Sequence, residues 1–169
     1  MPDKPINMKR TLHLAGLACL LVLFSCEQNA DPSQKQFLVR LKQTQDTVNI
    51  FQNKEVLKSR VITNLNKYVR DNALTFKNWT FNIENIAADK LDLKSAGTGD
   101  SSIYGVRFAM LIPQDDAKLK DAIGKLKIGD KIAINGEMAM KTEDGKVSMN
   151  SYFDSDSTKF IKLMPKEIK

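Results

Sequence analysis

An α+β fold, mostly β, with an N-terminal helix or helices leading into a small five-stranded β-barrel, is what the apolar pattern of this 169-residue chain predicts. Three observations carry that expectation. Apolar residues recur at helical spacing before residue 72, and they alternate with a period of two from residue 79 onward. A lone glycine, Gly136, then interrupts one alternating run where a sheet would have to bend. The length allows one ordinary domain.

The chain opens on a segment that reads as an address rather than part of the fold. Lys9 and Arg10 precede a nearly unbroken apolar stretch, residues 12–24. Crossing a bilayer as a helix takes about 20 residues, so this stretch is too short. A basic start, a short apolar core and a small residue before a polar run form the pattern of an export signal. Met8 is an alternative initiator, because the basic pair follows it directly. Leu23-Phe24-Ser25-Cys26 closes the stretch and resembles the lipobox of bacterial lipoproteins, with an aliphatic residue three before the cysteine and a small one directly before it. Phe24 departs from the small residue usual in that family. The resemblance implies that residues 1–25 are a signal peptide, that Cys26 becomes the mature N-terminus, and that its thiol carries a diacylglycerol built on palmitate-type chains. Cys19, preceded by Leu17 and Ala18, is a second candidate, but cutting there leaves residues 20–24 as an exposed apolar tail. An ordinary secretory signal or a buried N-terminal helix are the other readings of the segment. Because Glu27, Gln28 and Asn29 follow at once, the acyl chains alone would hold the protein, at about 0.8 kcal/mol per buried methylene. Residues 26–31 would then be a short lipidated tether.

Removing residues 1–25 leaves 23 basic and 19 acidic side chains. So mild an excess ordinarily means solubility, and the calculated pI near 9.3 is weak evidence for nucleic acid. His13, the only histidine, and Cys19 both leave with the signal. The mature part therefore offers no Cys or His zinc site, no disulfide, no thiol nucleophile and no Ser-His-Asp triad. No Ser-x-x-Lys spacing occurs either. The sequence calls for no catalytic residue, no metal and no cofactor.

The helical segment is placed at residues 32–72. Asp31 and Pro32 look like an N-cap followed by proline at the first helical position. Phe37, Leu41 and Val48 fall at helical spacing, predicting a helix over about 32–45, broken by the polar patch at residues 49–53. Leu57, Val61, Leu65 and Val69 at strict i+4 intervals predict a second, amphipathic helix, capped by Asn53 and ended by Asp71 and Asn72.

The barrel domain is placed at residues 73–169. Trp79, Phe81 and Ile83 alternate as on a half-buried strand. Residues 94–102 read as a small-residue loop, and Tyr104, Val106, Phe108, Met110 and Ile112 as a long second strand closed by Pro113. Leu119, Ala122, Ile123 and Leu126 share one face of a short helix, with Asp115 and Asp116 at its positive end. Gly129 and Asp130 turn into a strand over 131–141 interrupted at Gly136, Asp144-Gly145 is a hairpin signal, and residues 147–153 and 160–163 supply the last strands. Lys159, Lys162, Lys166 and Lys169 read as edge-strand lysines that block unwanted pairing.

The run Leu126-Lys127-Ile128-Gly129-Asp130-Lys131-Ile132-Ala133-Ile134-Asn135-Gly136, where a helix leads into a strand, resembles a motif of the OB-fold superfamily. Asn78-Trp79-Thr80-Phe81-Asn82-Ile83 is similar to the first strand of OB-like envelope lipoproteins. The resemblance covers residues 76–164 and implies three strands before the helix, where only two runs are clear. Either the 104–112 run is one bent strand serving both, or residues 86–95 hold a third, or the fold is another small barrel.

OB-folds bind oligonucleotides and oligosaccharides on the face of strands two and three. Trp79, Tyr104, Phe108, Arg107 and Lys131 are the residues from which such a face could be assembled, Trp79, Tyr104, Arg107 and Lys131 being the candidate ligand-binding set. Against it, alternation puts Trp79 and Phe108 in the core and points Arg107 away from Phe108. Residues 154–157 lack the glycine and terminal Glu of a calcium loop and read as a polar turn. Residues 97–100 open no helix, so they are a loop rather than a phosphate cradle.

The functional expectation is a lipoprotein of the bacterial cell envelope, anchored through Cys26 at the outer membrane or the periplasmic face. It would act as a non-catalytic binding or scaffolding module for an envelope protein partner. Binding of oligosaccharide, peptidoglycan or single-stranded nucleic acid is the alternative, and nucleic acid is the poorer fit. A protein-binding module would show an exposed apolar patch on the barrel or on the 57–69 helix. A glycan binder would show an aromatic groove between the loops at 95–103 and 141–146.

Overall fold

A computed structural model describes residues 31–96, 106–139, 141–143, 146–153 and 160–169. A helical hairpin, α1 (Pro32–Ile50) and α2 (Glu55–Asn72), precedes the strands β1 (Thr75–Ile86), β2 (Lys90–Ser95) and β3 (Arg107–Leu111). Helix α3 (Ala117–Gly124) leads to β4 (Lys131–Met138), the short hairpin β5 (Lys141–Glu143) and β6 (Lys146–Ser148), a single turn α4 (Asn150–Phe153) and β7 (Phe160–Ile168).

Local chemistry sets the helix boundaries. Asp31 caps α1, its Oδ1 accepting from the Ser33 backbone N–H at 2.8 Å, with Pro32 at the first position. Helix α1 runs to Ile50, five residues beyond the expected end, because Thr44 and Val48 still face the core. Helix α2 begins on Lys54 with no side-chain cap, so Asn53 does not cap it. Its buried stripe is Ile62, Leu65 and Val69, whereas Leu57 and Val61 are half-buried. The reason is drift: each i+4 step advances about 40° around a helix, so a strict i+4 row cannot stay on one face. Asp116 caps α3, accepting from the Leu119 N–H at 3.0 Å.

Five strands close into a barrel in the order β1-β2-β3-β7-β4, with β4 returning to β1. All pairings are antiparallel except β3 with β7, and α3 lies between the third and fourth barrel strands. This is the OB-like barrel the sequence predicts, and its missing strand is β2, at residues 90–95. The 104–112 run contributes one strand, not two. Two expectations fall, the second for Lys162. Residues 150–153 turn helical rather than continuing a strand, packing Met149 and Tyr152 into the core. Strand β7 pairs with β3 through Phe160–Leu163 and with β4 through Leu163–Ile168, so Lys162 lies within the sheet and is no edge lysine, whereas Lys166 and Lys169 lie where β7 is paired on the β4 side alone; Lys166 pairs with Glu137 across that ladder.

Three bulges give the curvature that closure needs. In β1, Phe76 and Trp79 face Gly136 and Ile134, three steps against two. The extra residue lets two aromatics at odd spacing both point inward, and Asn78 absorbs it with φ 51°. A second shift lies between Ile83 and Asn85, and a third where Gly136 meets Pro165. There a Cβ on Gly136 would overlap the Met164 carbonyl, so the backbones approach as only glycine allows.

Large apolar side chains fill the barrel interior among the described residues. Phe81 and Phe108 meet edge to face at 5.1 Å, and Ile83, Leu91, Leu93, Met110, Ile134 and Leu163 are at most 2% exposed. The hairpin caps one end. Phe37 and Phe76 flank Trp79 at 5.4 and 4.6 Å, and the Trp79 indole N–H donates to Ser33 Oγ at 2.9 Å. Gln34, wholly buried, accepts from the Thr80 N–H at 2.9 Å and donates to the Thr80 carbonyl at 2.8 Å. One polar side chain thus pairs with the strand backbone as a neighbouring strand would.

Candidate functional site

The sequence-selected residues divide on the finished barrel. Trp79 is fully buried between α1 and the sheet, so it belongs to the core and cannot serve as a stacking platform. Phe108 is equally buried. Tyr104 and Cys26 lie outside the described residues, as do the turns at 97–100 and 154–157. Arg107 is exposed on β3 and Lys131 on β4, and the strand registers set both on one rung with β1 and β2 between them.

Lys131 pairs with Asn82, Asn82 with Lys94, Lys94 with Arg107, and Arg107 with Phe160. These five residues form one rung across β4, β1, β2, β3 and β7. Their neighbours in each strand, Ile132, Phe81, Leu93, Phe108 and Ile161, are buried, so the rung itself faces outward. With strands about 4.8 Å apart, four steps trace roughly 19 Å of surface. Because the barrel closes over these same five strands, the rung winds round its exterior, and of its three cations Lys94 and Arg107 stand at directly paired positions on adjoining strands.

The adjoining positions shape its electrostatics. Lys90 Nζ stands 4.8 Å from the Phe160 ring centroid and 2.9 Å from Asp92 Oδ1. That contact is an ion pair outside hydrogen-bond alignment, leaving the shielded Oδ1 compensated in charge but without an aligned donor. The Lys90 ammonium holds the Asp92 carboxyl below its ordinary range; burial opposes this, while the Asn85 amide and the Arg107 charge assist. Asp92 is thus occupied internally by Lys90, and Lys94, Arg107 and Lys131 make the rung rich in cationic side chains. Phe160, covered by Lys90, is poorly placed to stack a base.

Sequence reasoning missed Lys94 and Phe160. Lys94 falls within the expected loop at 94–102, and the strand predicted at 160–163 assigns Phe160 no face. Parity holds the missing signal: Ile161 and Leu163 alternate inward, which puts Phe160 outward.

Other surface features lie on the hairpin. Arg40 stacks on Tyr68, its guanidinium carbon 5.6 Å from the ring centroid. Pro32, Lys35, Val39 and Gln43 border an open groove beside them. Burial raises the Tyr68 pKa, and the Arg40 charge opposes the shift. Ile50 and Val56, 76% and 75% exposed, sit at the hairpin turn, away from the packed face of α2. Among the described residues no three His, Cys, Asp or Glu side chains come together as a metal site would require, and no helix is long and apolar enough to cross a membrane. Comparison with protein-family models, with curated proteins and with solved structures finds no match to this chain.

Proposed function

We propose that this chain is a lipid-anchored binding module of the bacterial cell envelope, held at the membrane by acylated Cys26 and engaging an envelope protein through the outer face of its barrel. The observation that carries the reading is the outward rung of Lys131, Asn82, Lys94, Arg107 and Phe160. Within it Lys94 and Arg107 are directly paired on neighbouring strands, and two adjoining cations suit an acidic partner surface. The filled barrel interior supports recognition on the exterior. Burial of Trp79 removes the main aromatic platform on which a nucleic-acid reading would depend.

Two linked experiments test this. Fractionation and intact mass of wild type and Cys26→Ala should give an acylated membrane form and a soluble or unprocessed form, respectively. Crosslinking in intact cells should then recover an envelope protein with wild type and much less of it with Lys94→Glu/Arg107→Glu. Wild type that keeps residues 1–25 and stays in the cytoplasm refutes the anchor, while equal crosslinking by the double variant refutes the rung as the partner's site.

A further inference from the structure

Helix α1 carries apolar residues on two sides, and only one set is explained by the fold. Phe37 and Leu41 point into the shared core, and Val48 is buried on the same side. On the opposite side stand Pro32, Val39 and Ile50. Their spacings of seven and eleven residues each return to within about 20° of the same direction, given 100° per residue. Pro32 is exposed, Val39 half-buried and Ile50 76% exposed, so this second set faces away from the barrel. Lys35 and Lys42 lie along one flank of it and Arg40 along the other. Lys42 pairs with Asp46, and Arg40 packs on Tyr68 beside it. Gln36, Gln43 and Asp46 stand among these residues, so the face is a mixed one; its apolar side chains, flanking cations and marginal tyrosine suit contact at the headgroup level of a membrane.

Chain length and charge identify the occupant. Only residues 27–31 separate Cys26 from Pro32. Five extended residues reach at most about 18 Å, so an acylated Cys26 would keep the start of α1 within that distance of the bilayer surface. Between residues 31 and 73 there are eight basic and four acidic side chains, whereas residues 74–169 hold fifteen and fourteen. The mature chain's excess positive charge thus lies in the segment next to the anchor, where anionic headgroups attract it.

We propose that the outward face of α1 lies on the membrane that holds the lipid, with Pro32, Val39 and Ile50 against the headgroup boundary and Lys35, Arg40 and Lys42 on anionic phospholipid phosphates. This orientation rests on the reading of Cys26 as the acylated anchor. It fixes which side of the molecule is available to partners: the hairpin's outer face is taken by lipid, and the barrel is presented to the envelope.

The test uses the acylated full-length product, in which Cys26 is blocked and a single new cysteine can carry an environment-sensitive fluorophore. Gln43→Cys places the label on the outward face of α1, and Lys120→Cys places it on exposed α3 as a reference. Both are reconstituted in vesicles of phosphatidylcholine alone and of phosphatidylcholine with phosphatidylglycerol, with brominated lipids as quencher. Quenching at 43 should be several-fold stronger than at 120 in the anionic vesicles and should fall in high salt. Adding Lys35→Glu/Arg40→Glu should weaken docking by roughly fivefold or more per charge, from about 1 kcal/mol each. Emission of buried Trp79 reports that each variant is folded. If intact mass shows no acylation, the anchor reading has failed. If the protein is acylated and folded but positions 43 and 120 are quenched alike in both vesicles, the orientation is wrong.

Discussion

Gln34 shows how much one side chain can decide. In sequence it is a polar residue on a helix that could as well face water, yet it is wholly buried and saturates the Thr80 N–H and carbonyl while also reaching Ser95 Oγ at 2.9 Å. Gln34→Leu keeps much of the volume but leaves the buried Thr80 N–H without its acceptor. We expect a loss of about 1–3 kcal/mol in urea unfolding followed by Trp79 fluorescence; an unchanged midpoint would show that these bonds stabilise nothing. Asp92 makes a second residue-scale case. Its carboxyl pKa is lowered in the fold by Lys90, so the pair's contribution is fully present above the ordinary carboxylate pKa and is lost as pH falls through the lowered folded value. Asp92→Asn should therefore be less stable than wild type at pH 7, and the difference should shrink as the pH is taken below about 4. Parallel stability curves for the two proteins across that range would contradict the assignment. Neither role was legible beforehand, because both depend on partners supplied by other strands or helices.

At the scale of elements, the strands illustrate what periodicity conveys and what it omits. Alternation located β1 and β4, and the isolated Gly136 signalled the bend that the register shift against Pro165 now shows. Alternation could not convey the bulge at Asn78, since that bulge exists to reconcile Phe76 and Trp79 at a spacing that breaks the period. It also passed over β2, whose Leu91 and Leu93 are too few to stand out beside the loop residues that follow. Gly136→Ala should destabilise the barrel by about 1–3 kcal/mol, because the obstacle is the Met164 carbonyl and backbone cannot swing aside like a side chain. Equal thermal midpoints for Gly136→Ala and wild type would mean that β4 and β7 can separate locally without cost.

At the scale of the whole molecule, the hairpin and the barrel share one core. Phe37, Leu38, Leu41, Leu65 and Val69 join Trp79, Phe81, Phe108 and Leu163 in a single cluster, so residues 32–72 and 73–169 are bound by packing as well as by chain. Urea unfolding should give coincident transitions by far-ultraviolet circular dichroism, which follows the helices, and by Trp79 fluorescence, which follows the barrel end. An earlier helical transition would mean that the hairpin folds separately. By itself the sequence determined what short-range physics encodes: the caps at Asp31 and Asp116, the periods that separate helix from strand, the bend at Gly136, and the α+β class. Only the tertiary structure decided that Lys131, Lys94, Arg107 and Phe160 share one rung, that α1 packs against Trp79 and seats Gln34 on the β1 backbone, and that Val39 and Ile50 stay outside the core. Those outcomes follow from register and closure, which join residues far apart in the chain, and local spacing holds no information about such pairs until the strands have met.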